Sequence, residues 1–216
     1  MNAVNHCMSA SPTGSSNGDL RRTILDTARH LLVQKGYQNL SMRKIAREID
    51  YSATSIYLYF DNKDALLHAL IHEGMMKLYA DLDATAHQYS DAPVRRLEAL
   101  CNAFIEFGLA NPEYYEIMFQ LRPERMKRYP AEKYRQARQN LEFFSAALTQ
   151  GADAGVFEVE DPRVSTSTIW ASLHGTVSLL LAERVDVRIE RETFIDTAVR
   201  QTIRSYTPSG QPAPSG

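Results

Sequence analysis

Between Ser41 and Phe60 the chain reads SMRKIAREIDYSATSIYLYF. Thr54, Ser55, Tyr57, Leu58 and Tyr59 gather three kinds of group in six positions: small hydroxyls, phenols and one apolar side chain. Hydroxyls and phenols hydrogen-bond phosphates and base edges, and small side chains let a backbone approach a groove closely. Arg43 and Lys44 stand just upstream, and Arg21, Arg22 and Lys63 flank the stretch. Cations so placed suit contacts to a phosphate backbone. The chemistry on offer is therefore nucleic-acid recognition, with no reaction implied.

Such a set works only if short, stiff elements hold it. Ser41 is a good N-cap, because its hydroxyl can accept from a free N–H of the first helical turn. Met42, Ile45, Ala46 and Ile49 then recur at helical spacing. Asp50-Tyr51 breaks the pattern, and aspartate tolerates left-handed geometry at a turn. Ser52 is the next N-cap, and Ala53, Ile56 and Phe60 form the inward stripe of a second helix. The pattern predicts a helix-turn-helix whose second helix lies in the DNA major groove. An ordinary antiparallel helix pair with a polar face would show the same periodicity.

Residues 21–75 resemble the N-terminal domain of the tetracycline-repressor-type (TetR-family) bacterial transcription regulators. The run from Ile24 to Gly36-Tyr37, then Ser41, Ile45-Ala46, Ser52, Ile56-Tyr57, Tyr59-Phe60 and Lys63 to Leu67 follows that family's order and spacing. The chain departs from the family at Asp50, where glycine is usual, and at Ala53 and Thr54, where glycine or lysine is frequent. The second departure removes a cationic contact and leaves the operator sequence open. With the resemblance, the DNA-contact set is Arg21, Arg22, Ser41, Arg43, Lys44, Thr54, Ser55, Tyr57, Leu58, Tyr59 and Lys63.

Composition sets broad limits. The 216 residues suffice for a small domain plus a larger one, and 44% hydrophobic content is ordinary for a globular chain. No run approaches the roughly 20 apolar residues that cross a bilayer, and no secretory signal is read, so the expected location is cytoplasmic, nucleoid-associated when bound to DNA. Cys7 and Cys101 are the two cysteines, too few for a disulfide framework. Asp19 to His72 holds eight Lys and Arg against six Asp and Glu; from Glu73 onward there are sixteen against twenty. A mildly basic head on an acidic body has the right sign for DNA, and a dimer doubles the head.

The rest reads as all-α. Residues 1–18 are small, polar and uncharged, and are expected to be disordered. Helix one spans about Leu20 to Lys35 and stops at Gly36; Asp61-Asn62 caps a long helix from Lys63 to about Ala86 that links head to body. Asp64, His68 and His72 share a stripe, read as three polar residues on the outside of that helix and not as a metal edge. Body helices are expected from Pro93, from Pro112, up to about Ala154, from Pro162 to about Arg184, and from Glu190 to Tyr206, with a loop or broken helix over 122–130. The tail over 207–216 is expected to be flexible.

The domains are accordingly 19–75, a three-helix bundle with the helix-turn-helix, and 76–206, a larger helical domain. Trp170, His174 and Gly175 are similar to the WHG-type C-terminal domain of some family members. That resemblance implies a homodimer through residues 163–206, its last two helices forming a four-helix bundle with their mates. It also implies a small-molecule pocket. Cys101, Phe104, Tyr115, Met118, Phe119, Phe144, Trp170 and His174, with Tyr114 and Phe143, are candidate lining residues for an apolar effector; aromatics at helical spacing also simply build cores. No nucleophile–base pair, Gly-rich phosphate loop or closed metal motif is found, so neither enzyme, cofactor nor metal is expected. The expected partners are a double-stranded DNA operator, a second copy and an effector, with no membrane. The expected role is a repressor; the alternatives are a ligand-responsive activator or a helical metal-binding or enzymatic protein.

Overall fold

A computed structural model describes residues 17–121 and 131–208. Within them the elements are helical throughout: α1 (Asn17–Asn39), α2 (Met42–Glu48), α3 (Ala53–Tyr57), α4 (Lys63–Gln88), α5 (Pro93–Ala110), α6 (Pro112–Tyr115), α7 (Ala131–Asp153), α8 (Pro162–Leu181) and α9 (Arg191–Arg204). The expected loop over 122–130 lies outside the described residues. So do the two tails, except that α1 takes in Asn17 and Gly18, and Thr207 and Pro208 follow α9. The chain forms two compact units that part between Leu66 and Leu67, inside α4.

The first unit is built on local signals. Gly36 adopts φ 73°, ψ 163°, which interrupts the helical run after Lys35. Glycine occupies this left-handed region without steric cost. Ile24, Leu25, Ala28 and Leu32 from α1 meet Ile45 and Ala46 of α2 and Ile56 and Phe60 after it; all are buried. Ser41 caps α2, its Oγ accepting from Lys44 N at 3.2 Å. Asp50 turns the chain at φ 57°. Ser52 caps α3, accepting from Ser55 N at 3.1 Å. The second helix is shorter than its apolar stripe implies. It closes at Tyr57, and Leu58 and Tyr59 continue as a turn in which Tyr59 N and Phe60 N still donate to Ile56 O.

The second unit has one continuous core. Leu78 and Leu82 of α4, Leu97, Leu100 and Phe104 of α5, Phe144 and Leu148 of α7, and Ile169, Leu173 and Val177 of α8 pack together. Asp161 caps α8, accepting from Arg163 N at 2.8 Å and Val164 N at 3.3 Å. α8 ends at Leu181, a turn before the expected Arg184, and Glu183 takes φ 52°. α6 runs on as a π-type turn over Glu116–Gln120, with Leu121 N donating to Glu116 O at 2.8 Å. Nothing in the sequence periodicity marks that widening.

His68 departs from the expected outward stripe: it is 8% exposed, in a turn of α4 where Leu66, Leu67 and Leu70 are also buried. Cys101 is fully buried, and burial, aided by Glu98, pushes its thiol up to about 12, which makes it inert. Cys7 lies outside the described residues.

Gly151 shows how closely α7 is covered. A Cβ placed there would fall 2.1 Å from Phe157 Cδ2 and 2.9 Å from its Cγ. Phe157 is itself buried, so the whole ring would have to shift. Gly151→Ala is expected to destabilise the protein by about 1–3 kcal/mol, overpacking outweighing the helix-propensity gain. Urea unfolding followed by circular dichroism measures it, and an unchanged or higher midpoint contradicts it.

Candidate nucleic-acid interface and ligand pocket

The two serine caps fix the ends of α2 and α3, and the buried Ile56 seats α3 against its neighbours. Everything on the far side of α3 is therefore presented outward. Thr54 is exposed, Tyr57 is 51% exposed and Leu58 80% exposed. Ser55 and Tyr59 are half-buried, and the Ser55 hydroxyl lies 2.8 Å from Ser52 Oγ, so it is partly engaged in the cap. Tyr51, 43% exposed in the turn before α3, extends the same surface. Its position directly before the Ser52 cap was the available sequence signal.

The cations are held to different degrees. Arg43 is exposed and makes no ion pair among the described residues. Lys44 Nζ donates to Asn39 O at 2.7 Å. Arg21 stacks over the Phe60 ring at 5.3 Å. Arg22 is bound to Asp26, with Nη2–Oδ1 2.5 Å and Nε–Oδ2 2.9 Å. That hydrogen-bonded guanidinium lowers the Asp26 carboxyl below the usual range. Lys63 Nζ donates to Tyr37 O at 2.9 Å and stands 3.8 Å from that ring's centre. The Tyr37 hydroxyl donates in turn to Asp64, and burial with this bond raises the phenol's pKa. Lys63 is thus positioned by its contact to Tyr37, with two of its three N–H groups left for another acceptor.

The candidate pocket residues converge, as a packed aromatic cluster. Phe104 of α5 and Trp170 of α8 have ring centres 4.6 Å apart, and Phe119 and His174 are also 4.6 Å apart. Trp170 stands 6.0 Å from Phe144 and 5.0 Å from His174. Cys101 belongs to the same core, with Met118 packed at its edge. Four polar side chains meet against it. The Tyr115 hydroxyl is 2.7 Å from His174 Nδ1 and 3.2 Å from Ser178 Oγ, and Gln120 Nε2 donates to Ser178 Oγ at 3.2 Å. Burial depresses His174 to about 4, so the imidazole is neutral near pH 7.

That depression carries a sign. A base whose folded value lies below its ordinary 6.5 takes up a proton on unfolding between the two values. The stability it confers is complete above about pH 6.5 and is lost as pH falls toward 4. His174→Gln is expected to flatten this part of the stability profile, read as urea midpoints between pH 4.5 and 7.5; an equally steep profile in the variant contradicts it.

Among the described residues no group of three or more His, Cys, Asp or Glu is placed to hold a metal ion, and no helix is long and apolar enough to cross a membrane. Family models match two segments: bacterial regulatory proteins, tetR family, at residues 24–70, and tetracyclin repressor-like, C-terminal domain, at residues 97–202. An uncharacterized HTH-type transcriptional regulator of Haemophilus influenzae is 38% identical over 65 residues, 30% of this chain and 35% of that protein. The uncharacterized HTH-type regulator YfiR of Bacillus subtilis is 23% identical over 171 residues, 77% of this chain and 82% of its own. Two solved structures share the fold. A tetR-family regulatory protein from Rhodococcus RHA1 superposes with TM-score 0.74 at 20% identity, covering 90% of this chain and 100% of that one. SmeT in complex with triclosan superposes with TM-score 0.70 at 21% identity, covering 88% and 92%. The two family matches fall on the helix-turn-helix and on the aromatic-cored helical unit, and the chain belongs to the TetR family of bacterial transcriptional regulators.

Proposed function

We propose that the protein is a homodimeric repressor that binds a palindromic operator and is released by a small, largely apolar effector. The observation that carries the DNA reading is the outward face of α3, where Thr54, Tyr57 and Leu58 stand exposed on a helix capped and seated from behind. These side chains are the groove readers. Arg43 and Lys44, with Arg21, Arg22, Ser41 and Lys63, supply backbone contacts; Ser55 and Tyr59 lie at the edge of the reading surface.

One five-residue helix discriminates little, so two copies are needed. Twofold symmetry places half-sites about 34–36 Å, or a multiple, apart. The surface assigned to the second copy is the free side of α8 within residues 163–206. Val164 is 62% exposed and Leu179 42%, and the exposed Ala171 and Gly175 lie between them. A shallow groove lined by Arg163, Val164, Ser167, Thr168 and Ala171 opens at one end of that face. Small and apolar residues in one exposed row suit close helix packing.

The effector reading rests on the aromatic cluster with its part-buried Tyr115–His174 pair: a mostly apolar lining with few polar groups suits an apolar ligand. SmeT's complex with triclosan supports the class of molecule. Such a ligand acts only by binding the DNA-incompetent conformation more tightly than the competent one. The protein would work in the cytoplasm, on the nucleoid when bound.

Binding of the purified protein to the DNA upstream of its own gene, against a scrambled duplex across a salt series, tests the reading. Preferential binding that weakens with salt is expected. Tyr57→Ala is expected to weaken it roughly tenfold or more. Equal, weak binding to both duplexes, followed by an empty genome-wide selection of bound fragments, overturns it. Trp170 is the single tryptophan and sits inside the cluster, so its fluorescence should change when triclosan is added and releases the DNA.

A further inference from the structure

Asn140 of α7 is 1% exposed, and its Oδ1 is buried with no hydrogen-bond partner. Its Nδ2 donates to Met75 O at a long 3.4 Å and lies 3.7 Å from Met75 Sδ. Flipping the amide gives no relief, because Oδ1 would then face that carbonyl. The oxygen therefore carries its full desolvation cost with nothing in return. Leucine would fill the same volume without it. Buried polar atoms left unpaired are uncommon, and each calls for an explanation, a functional partner among them. The other two such atoms are less exposed to this argument: Arg96 is engaged through Nη1 with Gln150 Oε1 at 3.0 Å, and Thr166 lies in the first turns of α8.

The surroundings suggest what the oxygen is for. Asn140 stands one helical turn before Phe144, whose ring is 6.0 Å from Trp170. The i, i+4 spacing puts Asn140 on the same face of α7 as Phe144, which belongs to the aromatic cluster. Met75 touches it, and Met118 packs against the neighbouring Gly74, where a Cβ would fall 2.3 Å from the Met118 sulfur. Unbranched thioethers repack readily around an incoming molecule.

We propose that Asn140 determines effector specificity: its Oδ1 accepts a hydrogen bond from a hydroxyl or amide N–H on an otherwise apolar molecule. The inference rests on the ligand-binding reading above and adds the chemistry that the ligand must carry. An apolar molecule without a donor would leave the oxygen unpaired and would bind less well, because a site built around a polar atom discriminates against the analogue lacking its partner.

Two probes isolate that donor: 4-hexylphenol and its methyl ether, 4-hexylanisole, which share an apolar body. Each is titrated into the full-length protein by calorimetry and by Trp170 fluorescence. The wild type is expected to bind the phenol roughly tenfold more tightly than the ether. Asn140→Leu is expected to bind both alike and, having lost the orphaned oxygen, to melt at a higher temperature. Asn140→Thr keeps an acceptor and should keep part of the preference, a check that holds if the leucine variant fails to fold. Equal binding of the two probes by the wild type overturns the specificity role alone and leaves the pocket standing. A preference that persists in Asn140→Leu overturns it as well. Binding of neither probe overturns the pocket and the inference together.

Discussion

The hydrogen bond between the Tyr115 hydroxyl and His174 Nδ1 is the contact on which the larger unit's arrangement depends. Two polar groups sit among Phe104, Phe119 and Trp170, and burial is tolerable only because they satisfy each other, with Ser178 beside them. Meeting that condition fixes the position of α6 on α8. The π-type turn after Tyr115 lets Phe119 reach the same imidazole, so Tyr115 and Phe119 both stack around His174. Edge-to-face pairs of this kind each add about 0.5–1.5 kcal/mol beyond area burial. The neutral imidazole is then a consequence of packing and not of a nearby charge.

The head solves a different problem with different means. Beside its apolar core it relies on local geometry: Ser41 and Ser52 at the helix starts, Asp50 and Gly36 at positive φ, and Ile56 as the one fully buried anchor of α3. Each device spares the outer face of α3 from structural duty. That is why Thr54, Tyr57 and Leu58 can be exposed without destabilising the unit, and why a phenol and a leucine there are informative.

The two units also differ in what they leave unsatisfied. In the head, the cations are mostly tied down by neighbours: Lys63 on Tyr37, Lys44 on Asn39 and Arg22 on Asp26. Held side chains lose less freedom when a phosphate arrives, although the charge of Arg22 is already largely compensated by Asp26. In the larger unit the unsatisfied groups are buried side-chain atoms: among the described residues Arg96 Nε, Thr166 Oγ1 and the amide oxygen of Asn140 lack a partner.

Local chemistry settled much of this in advance. Serines, an aspartate and a glycine at particular spacings dictate where α1 stops and where α2 and α3 begin, because caps and left-handed turns are decided within a few residues of chain. The outward face of α3 followed, since Ile56 and Phe60 name its inner side. Helix starts at Pro93, Pro112 and Pro162 were legible for the same reason. Tertiary structure alone decided which polar residues go inside. The sequence places His68 on an outer stripe, yet it is buried; Asn140 carries no local signal, yet it is among the most buried polar residues described. The Tyr115–His174 pair spans 59 positions of sequence, and the π-type turn that serves it leaves the helical periodicity unmarked. Such features depend on which faces of distant helices meet, and that is set by packing among α5, α6, α7 and α8 and not by any stretch of chain read by itself.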